Sequence, residues 1–357
     1  MHLFQWHRWA EAVRTIPKLL VTLLIVSVGI VLISTQGIAG QLSPLPLPSL
    51  SQPDPLSPQI EQVKTGIFVV NIYDIDLKTS SFYADFYVWF KWKGSIDPVA
   101  ALEVTNSISD WAMISVPSHP EPERLPDGSY YQISRVEGRF LQSFDLKRYP
   151  LDAHNLSIFM ENSVYTAEQL VYVADQEQSG YSQSLTIPGW SIVGSTITSL
   201  VRTYNTSFGD PRLSKTSDHS VLCYSLSITR PGSFFVWKLL LPLLIVLASS
   251  WGALLLAPQH IDSRVALPVT ALLTAVFLQE TYADALPDLG YLVLMDKVYV
   301  IAYILIFSST LEIIVTAYWV DRNKDIWTGR VMGADLILLG FQIVVMAIGL
   351  FWLVIQP

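Results

Sequence analysis

The side chains best suited to act on an ion lie in one apolar stretch, residues 261–284, which reads IDSRVALPVTALLTAVFLQETYAD. At about 100° per residue, a helix brings six of them within roughly 40° of one line, and a seventh precedes them at one end. We call these seven residues the stripe: Asp262, Ala266, Thr270, Leu273, Phe277, Glu280 and Asp284. The stripe has acids at both ends, and the side chains between them change from small to bulky and apolar. Such a pattern suits the passage of an ion and not covalent chemistry.

Two interpretations of the stripe stay open on this stretch alone. The stretch is about long enough to cross a bilayer as a helix, and a lone helix would not turn carboxylates toward lipid. Copies around an axis would form a water-filled pore with an apolar constriction and acidic mouths. Alternatively, the helix buries one slightly polar face against its neighbours. Arg264 faces about 160° away from the stripe, and we interpret it as a snorkelling side chain at the cytoplasmic edge.

Composition points to a membrane protein. Of 357 residues, 51% are hydrophobic and only 15% are charged, which is typical of that class. The formal net charge of -8 argues against nucleic acid as a partner. The single cysteine, Cys223, excludes an intrachain disulfide bond. Because no zinc spacing, phosphate loop or nucleophile–base pair occurs, we predict no enzyme, no metal site and no cofactor.

The first 58 residues are typical of export. Basic residues, an apolar run at 19–33 and small residues at 37–40 predict a signal peptide over residues 1–40, with an uncleaved anchor helix as the alternative. Residues 41–58 are rich in Pro and Ser, which predicts a semi-extended linker. In either case the domain that follows is exported.

Residues 59–230 show an all-β pattern. Runs such as IFVVNIY at 67–73 and SFYADFYVWFKW at 81–92 are β-branched and aromatic, and Pro, Gly, Asp and Ser separate them. Many short strands with such punctuation predict a sandwich or a barrel. We expect an all-β, immunoglobulin-like extracellular sandwich.

Residues 231–357 contain four apolar runs of spanning length. We predict a four-helix transmembrane bundle, with helices at about 233–257, 263–284, 291–319 and 331–355. Arg264 borders the first connecting loop and Arg322, Lys324 and Arg330 the third, whereas Asp284 and Asp288 border the second. The positive-inside rule then places the β domain outside. The expected location is the plasma membrane, the inner membrane of a prokaryote, with an extracellular or periplasmic N-terminal domain.

Several motifs in this order resemble the pentameric ligand-gated ion channels, the Cys-loop receptor superfamily. Residues 144–152, FDLKRYPLD, look like the signature loop of that family. Gln142 and Leu156 stand where animal members carry the two bracketing cysteines, so the chain resembles the prokaryotic type. Further similar segments are TGI at 65–67, SFYADFYVW at 81–89, Arg230-Pro231 and Ala285-Leu286-Pro287.

The resemblance implies a pentamer around the stripe. Leu273 and Phe277 would form the hydrophobic gate, although ordinary helix packing is the alternative for Leu273. Asp262 would form an acidic ring at the cytoplasmic mouth, and Glu280 and Asp284 would form outer rings, which predicts permeating monovalent cations.

The resemblance also implies two sets of positions in and beside the β domain. The expected coupling interface consists of Asp76, Tyr149, Pro150, Asp152, Arg230, Leu286 and Pro287, with Arg230 and Asp152 as an ion pair and Asp76 as an undecided second partner. The expected ligand site lies between subunits and consists of Tyr87, Tyr131, Glu161, Ser163, Tyr165, Tyr204 and Phe208. Glu161 with nearby aromatic rings would suit a small protonated amine. His154 and His219 are the external histidines that could sense pH.

We therefore predict a homopentameric cation channel in the lipid bilayer that opens when a small extracellular ligand or protons act on the β domain. The rival interpretation is a membrane-anchored solute sensor without a conducting pore. The stripe and its acidic ends argue against the rival, because an anchor does not need them.

Overall fold

The computed structural model of the chain describes residues 60–108, 113–209, 216–322 and 324–355. The predicted signal peptide and linker lie outside the described residues. The chain divides into two compact units. One contains the β strands, up to Asp145 and again over Ala153–Arg230, and the other contains the segment Leu146–Asp152 and the helices after Pro231.

The β unit is a sandwich of two sheets, which confirms the predicted fold class and decides between sandwich and barrel. One sheet has the order β4-β6-β2-β1-β8, with β5 beside β6 and β9 beside β1, and the other has the order β10-β11-β7-β3. The strands are β1 Glu61–Asp76, β2 Ser81–Trp92, β3 Leu102–Val104, β4 Ile114–Pro117, β5 Glu123–Arg124, β6 Tyr130–Leu141, β7 Ala153–Asn162, β8 Leu170–Ala174, β9 Gly180–Tyr181, β10 Ser191–Tyr204 and β11 Ser217–Thr229.

Alternation along β2 shows why this sequence forms a sandwich. Phe82, Phe86 and Phe90 are fully buried, as are Ala84 and Val88 on the same face, and the odd-numbered residues between them point to the other face of the sheet, as the two-residue period of a strand requires. The neighbouring strands match this register, because Phe86 lies opposite Val69 of β1 and Val136 of β6, both buried. The apolar face of the sheet is therefore continuous across three strands.

One strand is longer than the sequence pattern indicated. β1 has 16 residues, whereas the predicted run covered only 67–73, and β2 covers the same residues as the predicted run at 81–92. Both ends of β1 carry polar residues that the ladder with β2 includes, and bulges at Val69/Asn71 and Tyr73/Asp76 interrupt the alternation. A pattern that depends on alternation ends where a bulge shifts it.

The helical unit has four helices long and apolar enough to cross a membrane. We number them α1 Gly232–Leu255, α2 Ile261–Ala283, α3 Leu294–Arg322 and α4 Lys324–Ile355. The chain is a multi-pass membrane protein. The most apolar window of α2 is only 22% buried, whereas the corresponding windows of the other three are each 39% buried.

Pro242 in α1 is accommodated by a local change of hydrogen bonding. Residues Phe235–Leu240 form a π-helical turn, and the N–H of Leu241 donates to the carbonyl oxygen of Val236. Proline has no N–H to continue the ladder, so a wider turn just before it reduces the mismatch. A proline inside a helix is a common cause of a kink, but the residue type alone does not predict the π turn.

The signature-like segment Leu146–Asp152 belongs to the same compact unit as the helices. The N–H of Leu294 donates to the carbonyl oxygen of Lys147 at 2.9 Å, and the N–H of Met295 donates to that of Tyr149 at 3.2 Å. These bonds satisfy free N–H groups at the start of α3, where a helix has no internal acceptors for them. The predicted β domain, residues 59–230, is therefore interrupted by seven residues that belong to the helical unit.

Candidate functional site

All seven stripe residues are exposed in the single chain. Leu273 is 57% exposed and Phe277 is 64% exposed, although both lie at the centre of an apolar helix. The buried residues of α2 are Arg264, Pro268, Ala271, Ala275 and Tyr282. On a helical wheel their mean direction lies about 170° from the mean direction of the stripe. The residues that contact the rest of the chain therefore occupy one face, and the stripe occupies the opposite face.

Two different flanks separate the stripe from the buried face. Val269, Leu272 and Val276 are exposed and lie about 80° to one side of the stripe. Ser263, Thr274 and Thr281 are exposed and lie about 70° to the other side. One flank is thus branched and apolar, and the other carries hydroxyl groups.

The threonines of α2 satisfy their own hydroxyl groups. Thr270 donates to the carbonyl oxygen of Ala266 and Thr274 to that of Thr270, each at 2.8 Å, and Thr281 donates to that of Phe277 at 2.9 Å. This is a common bond for Ser and Thr in helices. The oxygen of each hydroxyl keeps lone pairs for water or a cation, while Leu273 and Phe277 offer only apolar surface.

Arg264 does not snorkel, which corrects the expectation for this residue. Its side chain is 1% exposed, and its terminal nitrogen Nη2 donates to Oδ2 of Asp335 in α4 at 2.7 Å. Asp335 is fully buried. Snorkelling releases a charge to water, but here an opposite charge on another helix makes burial tolerable. We did not single out Asp335, and its only signal was an acid inside a predicted span, where ionisable residues are rare.

The expected coupling residues of the helical unit lie around the end of α2. The ring of Tyr149 stacks on that of Tyr282 with centroids 6.2 Å apart, and the Tyr149–Pro150 peptide bond is cis. Asp152 is buried, and Leu286 is buried in the turn that follows α2 with Pro287 half-buried beside it. Sequence reasoning therefore named positions that the fold brings to one end of the helical unit.

A row of tyrosines beside Tyr149 was missed. Tyr282 stacks on Tyr299 at 5.5 Å, and Tyr299 lies 6.1 Å from Tyr303. The hydroxyl of Tyr282 donates to Asp296, and that of Tyr303 donates to Gln279 at 2.5 Å. These ring contacts and hydrogen bonds hold α2 against α3 at the end of the helices that the signature-like segment contacts. Tyrosines spaced at 299 and 303 on one helix face were the available signal.

The expected coupling residues of the β unit have local contacts. Asp76 accepts hydrogen bonds from the N–H groups of Lys78 and Thr79, and the Thr79 side chain together with these bonds lowers the pKa of its carboxyl. It stabilises its own turn. The guanidinium of Arg230 lies over the ring of Trp190, 4.1 Å from the centroid, which is cation–π geometry. The pairing of Arg230 with Asp152 stays a prediction.

Five residues of the expected ligand site gather on the sheet of β7, β10 and β11 or next to it. Glu161 is buried and accepts a hydrogen bond from the hydroxyl of Tyr204 at 2.7 Å. The rings of Tyr204 and Phe208 meet edge to face, with centroids 5.2 Å apart. Ser163 and Tyr165 follow β7, where the Ser163 hydroxyl donates to the carbonyl oxygen of Ala101. Phe208 has a positive φ of 52° and is 64% exposed.

Arg202 pairs with Glu161, the acid that we expected to suit a small protonated amine. The Nη1 atom of Arg202 donates to Oε2 of Glu161 at 3.1 Å and to the hydroxyl of Tyr204 at 3.3 Å. Burial raises the pKa of Tyr204, and the Glu161 carboxylate raises it further. The negative charge of Glu161 is therefore already compensated inside the chain, and a protonated amine would have to compete with Arg202.

Tyr87 and Tyr131 lie on the other sheet, on β2 and β6. The guanidinium of Arg135 is 5.9 Å from the centroid of the Tyr87 ring. Burial and the charge of Glu123 raise the pKa of Tyr131. The single chain thus does not bring these two tyrosines and Tyr204 to one sheet, which is consistent with a site that two copies of the chain would complete.

Both histidines singled out from the sequence are buried. The ring of His219 lies 5.7 Å from that of Tyr204, and its Nδ1 is 3.1 Å from the carbonyl oxygen of Asn162. His154 lies between Phe144 and Trp190, at 5.0 and 5.5 Å. Within the described part of the chain, no group of three or more side chains could hold a metal ion. Cys223 is buried, and burial raises the pKa of its thiol.

Comparison with known proteins gives the family. No family profile matches the chain. The proton-gated ion channel of Gloeobacter violaceus is 24% identical over 284 residues, which cover 75% of this chain and 76% of that protein. The gamma-aminobutyric acid receptor subunit beta-like of Drosophila melanogaster is 26% identical over 50% of this chain, and the pH-sensitive chloride channel 2 of the same fly is 22% identical over 56%. The matches span 35% and 38% of the two fly proteins.

The β-sandwich followed by four spans, together with these relatives, defines a channel-type membrane receptor and not an enzyme. The chain belongs to the pentameric ligand-gated ion channel superfamily. It resembles the type without the Cys-loop disulfide, since it has one cysteine.

Proposed function

We propose that the chain is a ligand- or proton-gated channel, five copies of which surround a cation-conducting pore lined by the stripe. The observation that carries this proposal is the division of α2 into opposite faces. Packing inside the chain uses Arg264, Pro268, Ala271, Ala275 and Tyr282, and the exposed face opposite them carries acids and hydroxyl groups. Lipid is a poor environment for such a face, whereas a shared water-filled axis suits it.

Cation selectivity is supported by the charges that reach this face. Asp262, Glu280 and Asp284 are exposed on it, and rings of acids attract cations and repel anions. Arg264, the basic residue of α2, is buried and paired. The relatives include a chloride channel, so family membership alone does not determine the ion, and the proposal depends on these side chains.

The stimulus is proposed to act on the β unit from outside. Two of the relatives named above are described by their response to protons or pH, which supports extracellular acid as the first stimulus to test. The cluster of Glu161, Arg202 and Tyr204, in which Glu161 is buried and the other two are half-buried, is the second candidate, as a site for a small ligand that exchanges with the internal ion pair.

Assembly and conduction are tested together. The purified chain in mild detergent should have the mass of five copies, and proteoliposomes containing it should carry current after external acidification or addition of a small amine. Under a salt gradient, the reversal potential should lie near the cation equilibrium potential. A stable monomer or dimer that carries no current would favour the anchored solute sensor, and a reversal at the chloride potential would refute the cation assignment.

A further inference from the structure

The buried ion pair between α2 and α4 lies next to the predicted cytoplasmic mouth of the pore. Arg264 is in the first turn of α2, two residues after Asp262, and the two side chains point about 160° apart. Asp335 is near the start of the apolar part of α4, which runs from Val331 to Ile355. The pair therefore joins α4 to the first turn of α2, the helix that carries the stripe.

One strong hydrogen bond joins the pair, and within the described part of the chain each of the two side chains has a polar atom that is not hydrogen-bonded. Nη2 of Arg264 and Oδ2 of Asp335 are 2.7 Å apart. Among the described residues, Nε of Arg264 and Oδ1 of Asp335 have no hydrogen-bond partner. The like charge of Glu312 in α3 also acts on Asp335. Charge compensation, and not a fully bonded network, is thus what makes burial of Arg264 tolerable.

An arginine in this position cannot become neutral when its partner is lost. A buried lysine or carboxyl group can change protonation, but a guanidinium stays charged in proteins. Without Asp335, the Arg264 charge would be 1% exposed and uncompensated. Its long side chain would have to turn toward the water at the end of α2, where the opposite charge of Asp262, in the same first turn, would attract it.

We propose that Asp335, a residue that never reaches the pore, is a positioning residue for ion selectivity because it holds the positive charge of Arg264 away from the ring of Asp262. This inference rests on the proposed channel function. Five released guanidinium groups would cancel the charge of five Asp262 carboxylates. The ion choice of the pore then depends on the contact between α2 and α4 as well as on the residues that line the pore.

The decisive experiment compares Asp335→Asn, Arg264→Gln and the double variant in proteoliposomes under a salt gradient. Asp335→Asn should lower the cation-to-chloride permeability ratio on the order of tenfold, since a unit charge about 10 Å from an ion at an effective dielectric constant of about 20 changes occupancy by that factor. Arg264→Gln should leave the ratio at the wild-type value. The double variant should restore it, because no charge is left to release.

This pattern separates selectivity from packing. A purely structural role predicts similar defects for both single variants and no change in the permeability ratio of the channels that still open. Asp335→Glu, which keeps the charge, should retain the wild-type ratio. Gln342→Leu is the matched control, because Gln342 lies two turns along the same helix and bonds Ser308 and Ser309 of α3 without carrying a charge.

Each remaining outcome counts for or against the proposal. If Asp335→Asn subunits do not assemble alone, coexpression with wild-type subunits should lower the ratio in proportion to their share. A functional Asp335→Asn channel with the wild-type ratio overturns the proposal. A wild-type reversal at the chloride potential would instead refute the cation assignment, and Asp335→Asn should then raise the chloride conductance, with the double variant returning it. If Asp335→Asn does not raise the chloride conductance in that case, the inference about Asp335 is refuted as well.

Discussion

The gate prediction can be given a magnitude from the exposure of Leu273. In the single chain 57% of this residue is exposed, and in a closed ring of five copies that surface would be covered by the other copies. Full burial of a leucine side chain is worth about 1.5–3 kcal/mol. The exposed share then corresponds to roughly 1–2 kcal/mol for each copy and about 4–8 kcal/mol for five. Leu273→Ser removes most of this stabilisation from the closed state.

We expect Leu273→Ser to open more easily than wild type. Even if only a fifth of the free energy of closure is lost, the opening equilibrium shifts about tenfold, because about 1.4 kcal/mol corresponds to that factor. The assay is the stimulus–response curve of currents in proteoliposomes. For an acid stimulus, the midpoint should move toward neutral pH, and current without any stimulus should appear.

The neighbouring leucine provides the control. Leu272 is 37% exposed and lies one residue, or about 100°, away on the apolar flank of α2. Leu272→Ser should change the midpoint much less than Leu273→Ser does. Equal shifts would mean that the assigned direction of the stripe is wrong. Reduced opening of Leu273→Ser with normal assembly would show that Leu273 packs and does not gate.

Three further predictions follow from the described contacts. Asp262→Asn should lower the cation-to-chloride permeability ratio more than Asp284→Asn, because salt screens charges within about 8 Å in a wide outer vestibule; reversal potentials measure this. Arg230→Ala should reduce maximal current without reducing assembly, and Trp190→Leu should reproduce part of the loss, since a cation–π contact is worth about 0.5–2 kcal/mol. The Arg135 hydrogen bonds lower the pKa of Asp85, so its stabilisation is complete above about pH 4 and is lost as pH falls. Asp85→Asn should therefore reduce the free energy of unfolding at pH 7 by about 1.5–3 kcal/mol and flatten the loss of thermal stability toward pH 3.

Each of these predictions has a matched control. Asp288→Asn removes an exposed acid that has no assigned role, and a ratio change equal to that of Asp262→Asn would contradict a ring at the cytoplasmic mouth. Arg230→Lys keeps a cation over Trp190 and should retain more current than Arg230→Ala. Asp127→Asn removes an acid whose ion pair with Lys91 is about half exposed, so its effect on thermal stability should be smaller than that of Asp85→Asn.

Helix direction was the feature that the sequence predicted best. The angle between residues depends only on the 3.6-residue period, so the faces of α2 could be assigned without knowledge of the other helices. The same is true of β2, where the fully buried Phe82, Phe86 and Phe90 follow the two-residue period of a strand. Local geometry fixes both patterns, and no distant partner has to be known.

Partners across the fold were the features that could not be predicted. Arg202 precedes the hairpin after β10, and Glu161 is on β7, 41 residues earlier. They meet because β11 lies between their strands, with His219 opposite Arg202 and Val221 opposite Glu161. Asp335 and Arg264 are 71 residues apart. The sequence indicates whether each of these charged residues lies in a strand or a helix, but not which distant residue compensates its charge.

The unlike flanks of α2 bear on how copies can assemble. A two-fold dimer brings the same surface of each copy together, whereas a ring brings one surface against a different one. One flank of α2 is formed by Val269, Leu272 and Val276, and the other carries the hydroxyl groups of Thr274 and Thr281, of which both are bonded within the helix. Small, internally satisfied residues allow close approach of helices in a membrane, and branched apolar side chains can fill the space beside them. Head-to-tail contact of these flanks keeps the stripe of every copy on the same side, so the ring that buries the flanks is also the arrangement that lines a pore with the stripe.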